Sequence, residues 1–189
     1  MELELDLKSR HEVRELVEAA DAAQKRIRNM DQDAIDRIVR AMAATGKEHA
    51  ELLANMACKE TGYGTVRDKV KKNLFASEMV WKAIEPIKTV GILHQDETNK
   101  IWDVGVPVGV IAGIVPSTNP TSTTIYKALI ALKGGNAIVF SPHPGAKECT
   151  RRTVEILMEA AVSAGCPENA IGCISMPTMD AVDELMKHK

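Results

Sequence analysis

The chain has 189 residues, 45% of them apolar and 26% charged, and its formal net charge is −2 at pH 7. This length and apolar content can bury a sizeable core as one or two domains. There is no basic block and only 3% of the residues are aromatic, which argues against nucleic acid as a partner, because such binders usually carry a basic face and stacking aromatics.

The cysteines and the apolar stretches exclude two further classes of protein. The four cysteines form neither a CxxC pair nor a Cys/His cluster, which is typical of reduced thiols rather than of a disulfide framework or a metal site. The N-terminal MELELDLKSR lacks the apolar core of a signal peptide. The longest apolar stretch, VGVPVGVIAGIVP (104–116), is too short and too interrupted by glycine and proline to span a bilayer. We therefore expect a soluble, cytoplasmic protein with no metal site and no membrane partner.

Residues 1–86 are predicted to form an N-terminal helical part. Ser9 and Glu12 match a capping box, which predicts that the first helix begins at Ser9. Asp31 or Asp33 can open a second helix, because a short acidic side chain can accept a hydrogen bond from the first turn.

Two more helices are expected before residue 86. Gly62 predicts the end of the third helix, since glycine suits the left-handed position after a helix. The fourth is expected from about Thr65 to Trp81, with apolar positions at Val70, Leu74 and Val80. Charged residues on all these helices are expected to face solvent.

Residues 87–106 are predicted to form a β-hairpin arm. IKTVGILH (87–94) and NKIWDVGVPVG (99–109) have the character of short strands, and the polar QDET (95–98) between them is the predicted turn. We expect the arm to pair with another subunit of a homo-oligomer.

Residues 107–189 alternate between strand and helix patterns. Strands are predicted at 108–115, 136–141 and 170–175, and helices at 121–133, 145–165 and 178–189. This order is typical of an α/β fold with a doubly wound, Rossmann-like parallel sheet. Three strands are fewer than a dinucleotide-binding sheet usually has. We therefore expect either an N-terminal portion of a longer protein or a chain whose open sheet edge is covered by another polypeptide.

A proline- and hydroxyl-rich segment follows each predicted strand: PSTNPT (116–121), SPHPG (141–145) and SMPT (175–178). Ligands of open parallel sheets bind outside the carboxyl ends of the strands, where these three segments meet. Proline fixes φ, so the corners are stiff enough to hold polar groups steady. Turn preferences alone explain any one corner, but three on one edge favour a binding site. The GxGxxG and GxxxxGK[ST] phosphate-binding motifs are missing from the sequence.

Two segments carry a family resemblance: VPVGVIAGIVPSTNPTSTTIYKALIALKGGNAIVFSPHPGAKECT (106–150) and CKETGYGTVRDKVKKN (58–73). They resemble the aldehyde dehydrogenase superfamily, and within it the CoA-acylating branch, which includes the aldehyde domain of bifunctional alcohol/aldehyde dehydrogenases and enzymes of bacterial microcompartments. The resemblance covers essentially the whole chain in order. It implies an enzyme that oxidises a small aldehyde with NAD, or NADP, and transfers the acyl group to coenzyme A. It also implies a location in the cytoplasm or inside a microcompartment.

The resemblance implies a catalytic role for Asn119, whose amide would help to form the oxyanion hole. In non-acylating relatives the corresponding asparagine comes two residues after the first proline of P-W-N-F-P, whereas Asn119 comes three residues after Pro116. The resemblance also implies a cofactor-binding set at the first two corners, in which the nicotinamide side is lined by Val115, Pro116, Ser117 and Thr118, and the adenine end is bordered by Ser141, Pro142 and His143. Serine at position 141 replaces the lysine of non-acylating relatives.

Other readings of these residues remain open. His143 could act as a general base. The three lysines Lys127, Lys133 and Lys147 are expected to be surface charges.

The catalytic cysteine of the family is expected downstream, in a domain that this chain does not contain. Each of the four cysteines is expected to be a small buried hydrophobe rather than a nucleophile, and the chain alone is expected to be inactive. Two alternatives to the enzyme reading are a non-catalytic module that pairs its hairpin with a full-length subunit, and an unrelated nucleotide-binding protein.

Overall fold

The strand and helix patterns of the sequence correspond to eight α-helices and five β-strands in the computed structural model, which describes residues 2–188, with side chains from residue 5 onward. Met1 and Lys189, which the first and last predicted segments include, lie outside the described residues. The helices are α1 Glu2–Ile27, α2 Gln32–Glu48, α3 Ala50–Thr61, α4 Val66–Leu74, α5 Val80–Ile84, α6 Pro120–Lys133, α7 Lys147–Ser163 and α8 Met179–Lys187. The strands are β1 Gly91–Asp96, β2 Ile101–Gly105, β3 Val110–Val115, β4 Ala137–Pro142 and β5 Ile171–Cys173.

A parallel sheet of β3, β4 and β5 forms the centre of the fold. Along β4, Ile138 and Phe140 belong to a core shared with α2, α6 and α7. The alternate residues Ala137 and Val139 belong to a second core, shared with α1 and α8. Because successive side chains of a strand point to opposite faces, helices cover both faces of the sheet. The predicted α/β class is confirmed.

The first helix does not begin at Ser9, so the predicted capping box is wrong. Ser9 lies inside α1 and is fully buried; its hydroxyl donates to the Asp6 carbonyl oxygen at 2.9 Å and lies 2.8 Å from the Thr178 hydroxyl. The Glu12 carboxylate instead accepts hydrogen bonds from the backbone amides of Ser175 and Met176, at 2.7 and 3.1 Å. Both residues therefore join α1 to the segment after β5.

The second and third helices follow the prediction. Asp31 caps α2, and its carboxylate accepts from the Ala34 amide at 2.8 Å. Gly62 ends α3 in the left-handed region with φ 70°, where an L side chain would be strained.

The fourth predicted helix runs further and faces differently. Thr65 caps it, and it continues through a π-helical segment, Phe75–Met79, into α5. Its buried positions are not the predicted Val70, Leu74 and Val80, which are half-buried. They are Lys69, Asn73, Ala76, Ser77 and Trp81. The polar members of this face are buried because each forms hydrogen bonds: Lys69 with the Thr118 carbonyl oxygen, Asn73 with Thr121 and the Ala50 carbonyl oxygen, and Ser77 with the Asn73 carbonyl oxygen.

The hairpin forms, but its turn lies two residues later than predicted. β1 extends through Asp96, whose carboxylate accepts from the backbone amides of Thr98 and Asn99, each at 3.0 Å. This local bonding moves the turn to residues 97–100. The base of the hairpin is fixed to α2, because the Gln32 side-chain oxygen accepts from the Thr89 amide at 2.7 Å.

One of the three lysines expected at the surface is buried. Lys133 is 2% exposed; its ammonium group lies 2.5 Å from an Asp36 carboxylate oxygen and 5.8 Å from the centre of the Trp81 ring. Lys147 is exposed as expected. Lys127 is half-buried and donates to the Ile114 carbonyl oxygen at 2.7 Å.

Candidate active site

The first two polar corners lie side by side at the carboxyl edge of the sheet. Val115 at the end of β3 pairs with Pro142 at the end of β4. The His143 amide donates to the Val115 carbonyl oxygen at 3.0 Å, which extends the pairing one residue past the strands. Parallel pairing thus places the predicted cofactor-binding residues of both corners on one rim.

Buried residues form the base of this rim and exposed residues form its edge. Val115, Ser141 and Pro142 are buried, whereas Pro116, Thr118 and His143 are exposed and Ser117 is half-buried. A ligand could therefore reach the exposed residues of both corners while the strands beneath stay packed. The Nδ1 atom of His143 accepts from the Gly145 amide at 3.0 Å, so one ring nitrogen is already used within its own turn.

The third corner is attached to the opposite face of the sheet. Ser175 and Met176 donate their amides to Glu12 of α1, and Thr178 caps α8. α1 and α8 share the core on that face. The third corner is thus bound to α1, a contact that the sequence pattern did not indicate.

Asn119 is the last of the four residues that join β3 to α6. It is the N-cap of α6, and Pro120 follows as the first helical residue, where the fixed φ of proline suits a helix start. The Asn119 side chain is half-buried, and its Oδ1 atom accepts from the Lys72 ammonium group at 2.7 Å. Its Nδ2 atom makes a long contact of 3.4 Å with the Thr118 hydroxyl.

Helix α4 holds this corner through three side chains spaced three and four residues apart. Lys69 donates to the Thr118 carbonyl oxygen at 2.8 Å, and Lys72 donates to Asn119. Asn73 accepts from the Thr121 hydroxyl at 2.8 Å and donates to the Ala50 carbonyl oxygen at 2.9 Å, which ties the corner to α3 as well. These α4 residues are the part of the site that the sequence analysis missed, although their i, i+3, i+4 spacing places them on one helix face.

Lys69 is buried against the corner. It is 5% exposed. Burial lowers the pKa of its ammonium group, and the neighbouring Lys72 charge acts in the same direction. Its ammonium group donates to the Thr118 carbonyl oxygen. Lys69 therefore holds the backbone of the first corner in place.

A cavity of about 410 Å³ opens beside Asn119. Its walls come from α4, α6 and the start of the π-helical segment, and include Lys72, Phe75, Thr123 and Tyr126. π-helical segments are rare and occur frequently at functional sites. The cavity therefore combines apolar walls with the Asn119 amide at its rim.

Three of the four cysteines are poor nucleophiles in this fold. Burial raises the pKa of the Cys166 and Cys173 thiols to about 12 each. Burial, and then the hydrogen-bonded Glu60 carboxylate, raise the pKa of Cys149 still further. Thiolates are the reactive form, so none of these three thiols is activated. Cys58 is half-buried on α3.

Within residues 2–188, no helix is both long and apolar enough to cross a membrane. In the same part of the chain, no group of three or more His, Cys, Asp or Glu side chains is arranged to hold a metal ion.

Comparison with known proteins gives matches over nearly the whole chain. Residues 3–189 match the family model described as "Aldehyde dehydrogenase family". The bifunctional aldehyde-alcohol dehydrogenase AdhE of Escherichia coli strain K12 is 45% identical over 177 residues. An acetylating aldehyde dehydrogenase from Geobacillus thermoglucosidasius superposes with a TM-score of 0.96 at 55% identity. A propionaldehyde dehydrogenase from the fucose utilisation microcompartment of Clostridium phytofermentans superposes with a TM-score of 0.78 at 34% identity.

The matches cover most of this chain but only part of each relative. They span 94% of this chain and 20% of the E. coli protein. They span 97% of this chain and 41% of the Geobacillus protein, and 94% of this chain and 40% of the Clostridium protein.

Proposed function

Because the chain belongs to the aldehyde dehydrogenase family, we propose that it forms the N-terminal, cofactor-binding part of a CoA-acylating aldehyde dehydrogenase. The reaction converts an aldehyde, coenzyme A and NAD⁺ or NADP⁺ into an acyl-CoA and the reduced cofactor. The observation that best supports this is the Asn119 amide at the edge of a cavity, with its oxygen bound to Lys72 and its NH₂ group in a long contact of 3.4 Å with the Thr118 hydroxyl.

Asn119 is proposed to stabilise the charge that develops on the aldehyde oxygen. A cysteine thiolate from the rest of the enzyme adds to the carbonyl carbon, and the resulting oxyanion accepts a hydrogen bond from Asn119 Nδ2. A preorganised donor of this kind acts mainly in the transition state, where the negative charge is largest. The raised pKa of Cys149, Cys166 and Cys173 supports a nucleophile from elsewhere.

The rim of the sheet is the proposed cofactor site. When bound, the nicotinamide cofactor accepts the hydride of the aldehyde carbon. We propose that the nicotinamide side lies against the backbone of 115–118, and that Ser141, Pro142 and His143 border the adenine end. The pairing of Val115 with Pro142 supports this arrangement, because it makes one continuous surface of the two segments. The acyl group then passes from the cysteine thioester to the coenzyme A thiol.

Two further proposals concern the whole protein. The exposed apolar hairpin supports a homo-oligomer that pairs through residues 87–106. The family membership and the similarity to a microcompartment enzyme support a location in the cytoplasm or in such a compartment.

The test uses the full-length protein that contains this chain. NADH formation is measured with acetaldehyde, propionaldehyde, sulfoacetaldehyde and succinate semialdehyde, with and without coenzyme A. We expect CoA-dependent turnover, and Asn119→Ala should lower kcat by roughly 10²–10³-fold, as for other oxyanion donors. Equal rates without coenzyme A would contradict the acylating assignment. No turnover in a protein that still assembles would favour the non-catalytic module.

A further inference from the structure

We propose that Lys72 is a positioning residue that fixes the side-chain amide of Asn119 in the orientation needed for oxyanion binding. The proposal rests on the proposed function, since only an acyl-transfer site gives the Asn119 NH₂ group its task. It concerns a residue on a different helix from the corner itself, so it can be tested separately.

The hydrogen bond between the two side chains selects one of the two amide orientations. An ammonium group carries three donors and no acceptor, so it can bind the amide oxygen but not the amide nitrogen. With Lys72 Nζ 2.7 Å from Asn119 Oδ1, a flipped amide would place two donors against each other. The NH₂ group must therefore point away from the Lys72 ammonium group.

The NH₂ group keeps most of its donor capacity in that orientation. An asparagine amide has two N–H donors. The contact of Nδ2 with the Thr118 hydroxyl, at 3.4 Å, is at the long end for a hydrogen bond. A reacting oxygen in the adjacent cavity can compete for this weakly held group.

The position of Lys72 relative to Asn119 is itself fixed by its neighbours. One turn earlier, Lys69 is buried and bound to the Thr118 carbonyl oxygen, and the adjacent Asn73 is bound to the Thr121 hydroxyl. α4 is thus bound to the corner at residues on either side of Lys72. The backbone of Lys72 is set by these buried bonds, while its exposed side chain can be changed without disturbing the core.

The kinetic test compares Lys72→Met with Lys59→Met in the full-length enzyme. Methionine keeps the aliphatic length but cannot donate, and Lys59 is an exposed lysine on α3. We expect Lys72→Met to lower kcat by roughly 10–100-fold, the range typical of a misplaced catalytic group, with little change in the KM of the cofactor. Lys59→Met should keep the wild-type kcat. Lys72→Arg should recover part of the loss, because a guanidinium also donates to a carbonyl oxygen.

A double variant separates positioning from other roles of the charge. If Lys72 acts through Asn119, Asn119→Ala combined with Lys72→Met should be no slower than Asn119→Ala alone. Additive losses, or a higher aldehyde KM with unchanged kcat, would show that Lys72 acts on the substrate and would overturn the proposal.

Crystal structures of the wild type and of Lys72→Met test the positioning role independently of the proposed activity. We expect the Asn119 amide to rotate or to adopt several conformers in the variant. An unchanged amide would overturn the positioning role whatever the activity. If the contact is as described but the wild type shows no CoA-dependent turnover, the proposed function fails and the contact stands.

Discussion

Lys133 is a buried cation at the end of α6. Its ammonium group lies 2.5 Å from Asp36 and 3.3 Å from the Glu85 carbonyl oxygen. Lys133→Met should lower the free energy of unfolding by about 2 kcal/mol, because it leaves the mostly buried Asp36 carboxylate without its charged partner. Urea unfolding of the protein would measure this loss.

Lys147 provides the control for that substitution. Its side chain is 49% exposed and 3.8 Å from Glu148. Lys147→Met should change the stability by less than about 0.5 kcal/mol, because exposed ion pairs contribute little. Equal losses in the two variants would contradict the assigned role of Lys133.

The thiols allow a second test at the same scale. At about pH 8 an ordinary exposed cysteine is partly thiolate and alkylates readily. Because burial raises the pKa of Cys166 and Cys173 to about 12 and that of Cys149 further, these three should resist iodoacetamide in the folded protein at this pH. Among the four cysteines of this chain, mass spectrometry should find at most Cys58 modified in the folded protein, and all four modified after denaturation. A native adduct at any of the other three would contradict this prediction.

Burial of single charged residues is what the sequence could not predict. Lys69 is buried although Lys71 and Lys72 of the same helix are exposed, and Lys133 is buried although it was expected at the surface together with Lys147. Their environments are set by partners far along the chain, Thr118 for Lys69 and Asp36 for Lys133. Composition and helical period contain no information on such long-range pairs.

At the scale of elements, α4 is the part of the site that gives the corner its rigidity. Asn73 is fully buried and bonds both Thr121 and the Ala50 carbonyl oxygen. Asn73→Ala should lower the free energy of unfolding by roughly 2 kcal/mol, because it leaves the buried Thr121 hydroxyl without its partner and removes the buried bond to the Ala50 carbonyl oxygen.

Asn55→Ala provides the control for the Asn73→Ala substitution. Asn55 is exposed on α3 and donates to the Glu51 carbonyl oxygen within its own helix, at 2.9 Å. Asn55→Ala should cost less than about 0.5 kcal/mol. Thermal unfolding of both variants measures the difference, and a similar loss in each would show that Asn73 contributes only helix propensity.

Elements with a clear period were predictable, and their ends were less so. The strand and helix segments of 107–188 form where the alternation of apolar residues placed them. The capping box predicted at Ser9 is wrong because α1 already begins at Glu2. Ser9 therefore lies inside the helix, where its hydroxyl contacts Thr178. The hairpin turn moved because Asp96 bonds the two amides that follow it, which no strand pattern reveals.

At the scale of the whole molecule, topology explains how much of the site could be foreseen. Two parallel strands end at one edge, so the meeting of the first two corners followed from the strand order, whereas the cofactor-binding roles of 115–118 and 141–143 came only from the family resemblance. α4 reaches this rim from a segment more than forty residues earlier, and only its fold contacts with Thr118, Asn119 and Thr121 place it there. Sequence spacing predicts a face for such a helix but not the element that the face meets.

The hairpin is the surface that we expect to contact another subunit. It is a two-stranded sheet, and such hairpins are marginally stable in water without further packing. On one face Ile92, Trp102 and Val104 are all exposed, and cross-strand pairing places them together. Apolar side chains grouped in this way are typical of an interface.

Trp102→Glu with Val104→Glu should therefore convert the full-length protein to a smaller assembly in sedimentation velocity. Each glutamate would have to be desolvated at the interface, which disfavours pairing far more than it disfavours the fold, since both positions are exposed in the single chain. Circular dichroism should remain unchanged. Leu52→Glu, at an exposed apolar position on α3, is the control and should sediment as the wild type does. If the hairpin variant also sedimented as the wild type, the arm would not be the oligomer contact, and its anchoring to Gln32 of α2 would serve this chain alone.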